Sequence, residues 1–273
     1  MMKESRKNRF SPRWILASLG VLLLAAVFVR LGFWQLDRLS QRRAQNALLE
    51  RRMSAPAVSL NPANLSGQPS ALEFRTAVAT GSYDFAHQVA LGSRVYNGQL
   101  GIDLLTPLVI QGGRQAVLVD RGWIPYSDLS RSTWSQFDLS GAVTVRGMVL
   151  QGQAAGGAGI PATGGQARPQ DLWSSVAVQK IQAQVPEQLL PYYIQEIPGS
   201  AQSSPPFAQA PQIDLSDGPH LGYAVEWFSF AAIALIGYPL WLRRQRIWER
   251  AGKADQAAAS GENAPQDEEA GSS

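Results

Sequence analysis

From Trp14 to Val29 the chain reads WILASLGVLLLAAVFV, sixteen residues without a charge. At ~1.5 Å per residue such a helix spans only ~24 Å, short of a ~30 Å hydrocarbon core. Continuing through Arg30 to Leu36 makes the run long enough, with Arg30 near one interface and snorkelling toward it. A second run, Leu221 to Leu242, is interrupted by Glu226 alone and carries Tyr223, Trp227, Tyr238 and Trp241 near its ends. Aromatics in those positions are typical of membrane interfaces. The pattern predicts two transmembrane helices, 14–36 and 221–242. A cleaved signal peptide also combines a basic start with an apolar stretch. Here, however, the apolar run leads straight into Arg30-Leu31-Gly32-Phe33-Trp34-Gln35 with no small-x-small cleavage site, so a retained anchor is expected.

Residues 36–53 contain good helix formers and neither Gly nor Pro. They predict a helical stalk over 37–55 that continues the first anchor, its arginines facing solvent or lipid phosphate. After Pro56 the periodicity changes. Strand-like runs occur at 73–80, 88–95, 102–110, 115–124, 142–150 and 192–197, several separated by glycine-bearing turns. They predict a β-rich domain over 56–220, a small antiparallel sheet or barrel, with a short helix near 174–184. The Gly-, Ala- and Gln-rich stretch 151–170 and the Pro-, Ser- and Gln-rich stretch 198–212 read as flexible loops, and 251–273 as disordered.

Charge changes the picture through its placement. Lys and Arg total 24 against 21 Asp and Glu, a formal +3, and charged residues are only 16% of the chain. That fraction is well under the roughly 25% of typical globular proteins. Residues 1–13 hold five basic side chains against Glu4; residues 37–220 hold 13 of each sign; residues 243–253 hold five basic side chains against Glu249. A nucleic-acid binder concentrates positive charge on its folded domain. Here the excess flanks apolar runs, so nucleic acid is not an expected partner and membrane lipid is. Positive-inside puts the segment 243–273 in the cytoplasm, because residues 201–220 lack Lys and Arg. Two spans return the chain to its starting side, so the tail 1–13 is cytoplasmic too. The central domain then faces outward, periplasmic in a bacterial inner (plasma) membrane.

No cysteine is present, which excludes disulfides and thiolate chemistry. With only His87 and His220, no metal site is expected. No Walker loop, nucleophile elbow or local carboxylate dyad occurs, so no catalytic residue is assigned. Arg30 lies six residues before Leu36 and Glu226 five after Leu221, which brings them to nearly equal depth in antiparallel helices. They either pair across the interface or snorkel separately. His220, at the entrance of the second run, either ligates an iron centre or hydrogen-bonds at the headgroups.

Several segments occur in a telling order: Gly32-Phe33-Trp34-Gln35; Phe74-Arg75; Gly81-Ser82-Tyr83-Asp84; Arg94; Gly101 to Leu108; Arg121-Gly122-Trp123-Ile124-Pro125; and His220-Leu221-Gly222-Tyr223-Ala224-Val225-Glu226-Trp227-Phe228. Lying between two apolar helices, this series resembles the Surfeit locus protein 1 family over about residues 14–246. The resemblance implies an assembly factor for cytochrome c oxidase that handles haem a for the catalytic subunit, bound transiently and alongside other haem a biogenesis factors, and no enzymatic turnover. It makes His220 the candidate haem ligand. Tyr223 and Trp227 are then either an apolar wall against the porphyrin or interfacial anchors. Gly32, Trp34, Gln35, Arg121, Gly122 and Trp123 carry the remaining signatures, with Trp123 either in the core or at a partner surface. Arg30 and Glu226 depart from the family pattern together, as a compensating pair would, and the 151–170 insertion is peculiar to this chain. A haem-free scaffold and a membrane-tethered enzyme are the alternative functions.

Overall fold

Residues 12–65, 69–153, 171–199 and 203–261 are described by a computed structural model. Pro12–Ser54 form one unbroken helix, α1, whose 43 residues give a length of about 65 Å. Proline at its first position suits a helix start, and Pro56 just beyond its end opposes continuation. Predicted anchor and stalk are thus a single element. The second long helix, α4, covers His220–Gly261 and runs through Pro239. Its last part, 251–261, was expected to be disordered; its alanines and Lys253 favour helix instead. The rest of the predicted disordered tail, and residues 154–170 of the predicted insertion loop, lie outside the described residues. Both α1 and α4 are long and apolar enough to cross a membrane.

The chain divides into two compact units, Met1–Asn46 with Ser216–Ser273, and Ala47–Leu215. The second is built from β1 (Val58–Leu60), α2 (Pro69–Leu72), β2 (Thr76–Tyr83), β3 (Val89–Tyr96), β4 (Gln99–Ile110), β5 (Gln115–Pro125), β6 (Ala142–Leu150), β7 (Leu172–Trp173), α3 (Val178–Ile181) and β8 (Gln188–Glu196). The strand order is β1-β2-β6-β8-β5-β4-β3-β7, and a further β2–β4 pairing closes β2, β6, β8, β5 and β4 into a five-strand barrel. Closure removes exposed strand edges. It turns on Gly81, which pairs with Ile110: a Cβ there would meet the Val109 carbonyl oxygen at 2.0 Å.

The expected small antiparallel sheet or barrel is a barrel, but its pairing is mixed, with β7 also parallel to β3. β8 lies between β5 and β6, antiparallel to β6 but parallel to β5, and β1 is parallel to β2. Alternate residues point inward, so Ala77, Leu108, Val117, Val119, Val145, Tyr192 and Ile194 fill one core cluster. On the other face of β5, Ala116 and Leu118 pack with Trp173, Val178, Ile181 and Val185. The short helix predicted over 174–184 is α3 followed by a 3-10 turn, with Ala177 at its N-cap position.

Candidate functional site

The two long helices meet along a seven-residue repeat. Ser18, Ala25, Gly32, Leu39 and Asn46 recur every seven positions on α1, interleaved with Trp14, Val21, Phe28, Gln35 and Arg42. Alternating three- and four-residue spacing of this kind keeps one helical stripe facing a partner. On α4 the matching series are Ala224, Ala231, Tyr238 and His220, Trp227, Ala234, Trp241. Contacts run antiparallel: Trp14 against Trp241 (ring centroids 5.9 Å), Ser18 Oγ to Tyr238 Oη (3.1 Å) and Phe28 stacked on Trp227 (5.7 Å). Small residues at Ala25, Ala224 and Ala231 are buried and let the backbones approach. Gly32 receives the Phe228 ring, which stands edge-on to Phe33 at 5.4 Å.

His220, the first residue of α4, is half-buried in this seam, and its Nδ1 lies 2.9 Å from Oε1 of the buried Gln35. Above it α1 grips the segment entering α4. Arg42 Nε and Asn46 Nδ2 both donate to the Ser216 carbonyl at 3.1 Å, and Arg43 Nε donates to Asp217 Oδ2 at 2.9 Å. The stalk arginines therefore serve this junction as well as the surface, a correction to their reading as solvent- or lipid-facing alone. Gly218 then turns the chain at φ +69°. A Cβ there would sit 3.5 and 3.7 Å from His220 Cδ2 and Nε2, so glycine leaves that edge of the ring uncovered. Among the described residues no hydrogen bond reaches Nε2.

Trp227, seven residues on, continues the face of His220 and is flanked by Phe28 and Phe230 in an aromatic group bordering a shallow apolar groove. Tyr223 is exposed on α4. Trp34 is also exposed, with the Arg38 guanidinium 5.6 Å from its ring centre. Gly32 and Gln35 of the first signature thus reach the seam while Trp34 turns outward.

Arg30 and Glu226 do not meet. No ion pair joins them among the described residues, and both are exposed. Their axial levels match, as the depth argument required, but each stands two residues from a seam position, Phe28 and Ala224. Two residues is about 200° of helical rotation, so both side chains leave the seam. Helical phase overrules depth, and the two charges stand exposed outside the seam.

Arg121, Gly122 and Trp123 belong to the β-domain. Arg121 is buried, with its guanidinium 5.1 Å from the ring centres of both Tyr83 and Phe85. It donates from Nη1 to Gln88 Oε1 at 3.1 Å and from Nη2 to the Phe137 carbonyl. Gly122, at φ +111°, lies under Phe207, whose carbonyl oxygen would be 2.3 Å from any Cβ. Trp123 exchanges two backbone hydrogen bonds with Phe207 (2.9 and 2.8 Å) and is buried, with Tyr96 and Phe207 stacked beside it. Within the described part of the expected flexible loop, 198–199 and 203–212, Phe207 is therefore strapped to β5, and core packing is the place of Trp123.

The β-domain also assembles charges that no local sequence pattern pairs. Arg94 Nε donates to Asp103 Oδ2 at 2.5 Å, and Arg94 Nη2 lies 4.0 Å from Asp120 Oδ2. Asp103 and Asp120 are buried, and Asp103 Oδ1 and Asp120 Oδ2 accept no hydrogen bond. Burial, and then the neighbouring Asp103, pushes the Asp120 carboxyl up to about 8, against the pull of Arg94 and the Gly122 N–H. Arg94 and Asp103 border a polar cleft of about 410 Å³ with Gln195, Gln209 and Gln212. Asp103 and Asp120 stand 17 positions apart in the chain and meet only through strand pairing.

Two long apolar helices, one on each side in sequence of a closed five-strand barrel, define a helix-flanked β-barrel protein in which His220 sits where the helices meet. The chain belongs to the SURF1 family, whose model matches residues 22–232. It is similar to a SURF1-like protein of Monosiga brevicollis, 26% identical over 85% of this chain and 87% of that protein. An uncharacterized SURF1-like protein of Mycobacterium tuberculosis is 28% identical over 83% of this chain and 82% of its own length. The cytochrome oxidase assembly protein SHY1 of Saccharomyces cerevisiae is 26% identical over 44% of this chain and 31% of its own length.

Proposed function

We propose that this protein is a membrane-anchored assembly factor for cytochrome c oxidase, and that His220 holds haem a on its way to the catalytic subunit. Family membership and the oxidase-assembly name of the yeast relative support the oxidase assignment. Both basic ends lie in the cytoplasm of a bacterial inner membrane and the barrel outside it, by the positive-inside rule.

The observation that carries the haem reading is the state of His220: Nδ1 is engaged by Gln35, and Nε2 lies on the edge that Gly218 leaves open. A neutral imidazole with one nitrogen occupied has one lone pair to offer, as an axial ligand to haem iron requires. Trp227 and Phe28 supply apolar, polarisable surface on the same face, suited to a porphyrin. When bound, haem would bring the redox-active iron; the chain's own part is to ligate, orient and shield it.

The test is genetic. Cells lacking the gene should lose most assembled, haem-a-containing oxidase, with wild-type protein restoring it and His220→Ala failing to. Undiminished oxidase in the deletion strain removes the assignment. Full restoration by His220→Ala leaves a haem-free scaffold.

A further inference from the structure

Histidine has two ring nitrogens, and which one is free to ligate is set by what the other one does. His220 Nδ1 lies 2.9 Å from Gln35 Oε1, an acceptor, so in this pairing the ring proton sits on Nδ1. We propose that Gln35 is a positioning residue that locks His220 in the Nδ1–H form and so makes Nε2 the coordinating atom. The inference rests on the haem reading for what Nε2 binds, but not for the tautomer.

Three observations support it. Gln35 is buried in the seam, so its amide cannot trade His220 for water without cost. The Arg42, Asn46 and Arg43 contacts to Ser216 and Asp217 hold the segment leading to His220, which brings the ring within reach of Gln35. Gly218 keeps side-chain bulk away from the Nε2 edge. The opposite amide orientation would put the proton on Nε2 and the lone pair against Gln35, leaving no accessible nitrogen to ligate. A neutral amide also holds the ring without adding charge to the seam, unlike the carboxylate that supports many metal-bound histidines.

Because the chain has only two histidines, the tautomer can be read directly. Full-length, haem-free protein labelled with ¹⁵N-histidine in detergent micelles gives two sets of ring ¹⁵N signals, and His87→Gln removes one. Expected for His220 is the Nδ1–H pattern in wild type, and a shift toward Nε2–H or a mixture in Gln35→Leu. Gln35→Glu, which keeps an acceptor oxygen, should restore Nδ1–H. Ferric haem a titrated into the same samples should bind about tenfold or more weakly to Gln35→Leu than to wild type, as loss of an outer-shell partner does at metal sites. An Nε2–H pattern in wild type, or an unchanged pattern in Gln35→Leu, overturns the proposal without any haem measurement. The predicted tautomers with no haem binding to wild type would instead overturn the haem reading and leave Gln35 as the residue that sets the ring.

Discussion

Gly32 and Phe228 are complementary across the helix seam: a Cβ on Gly32 would lie 2.7 Å from both Cε1 and Cζ of the Phe228 ring. The aromatic edge occupies the space that a side chain on α1 would need. Gly32→Val should therefore overpack the seam and cost about 1–3 kcal/mol. Thermal unfolding of the full-length protein in detergent reads the loss, and Gly32→Val combined with Phe228→Ala should recover part of it. Strictly additive losses would mean that the ring is not what glycine accommodates.

Gly122 makes a second prediction, in the barrel. Its φ of +111° and the Phe207 carbonyl 2.3 Å from a virtual Cβ leave alanine no comfortable geometry. Backbone strain alone costs about 1–2 kcal/mol for a non-glycine residue held at positive φ. Gly122→Ala should also loosen the strap, so hydrogen exchange at the Trp123 and Phe207 amides should accelerate at least tenfold. Unchanged exchange would mean that the strap is held by its aromatic stack alone.

Asp120 ties barrel stability to pH. With its carboxyl pushed up to about 8, the folded state keeps a proton that the unfolded chain releases near pH 4. Between those values the folded state binds more protons, so stability falls as pH rises, at up to about 1.4 kcal/mol per pH unit, and levels off above pH 8. Urea midpoints at pH 5, 7 and 9 measure the slope. Asp120→Asn should flatten it, and an equally steep fall in that variant would assign it to other groups.

Arg30 and Glu226 should behave independently. Both are exposed, at one level but out of phase with the seam, so Arg30→Ala and Glu226→Gln should combine with a coupling below about 0.5 kcal/mol. A double-mutant cycle on thermal stability in detergent measures it, and a clearly larger coupling would mean that the side chains reach each other.

Much of this architecture is legible in the chain. Uncharged runs mark both long helices, and short apolar runs separated by glycine-bearing turns mark most barrel strands, because burial on both faces leaves β4 and β5 almost continuously apolar. His220 and Gln35 are recognisable one by one through their motifs, but nothing in the sequence says that they touch. The seven-residue series Ser18, Ala25, Gly32, Leu39, Asn46 holds that information, and it is masked because leucine and valine surround the seam on the outward faces of α1. In an apolar helix the informative residues are the small and polar ones. Depth is read easily from sequence and phase is not, which is why Arg30 and Glu226 look like partners. The parallel placement of β8 and the meeting of Asp103 with Asp120 follow from strand order, which local pattern does not encode.

The central claim is that His220 holds haem from the seam. The most direct measurement is the absorbance spectrum of full-length protein purified in detergent from cells that make haem a. Wild type is predicted to carry haem with the spectrum of a histidine-ligated iron, and His220→Ala, folded to the same melting temperature, to lose it. Haem-free wild type, or equal haem in His220→Ala, would contradict the account.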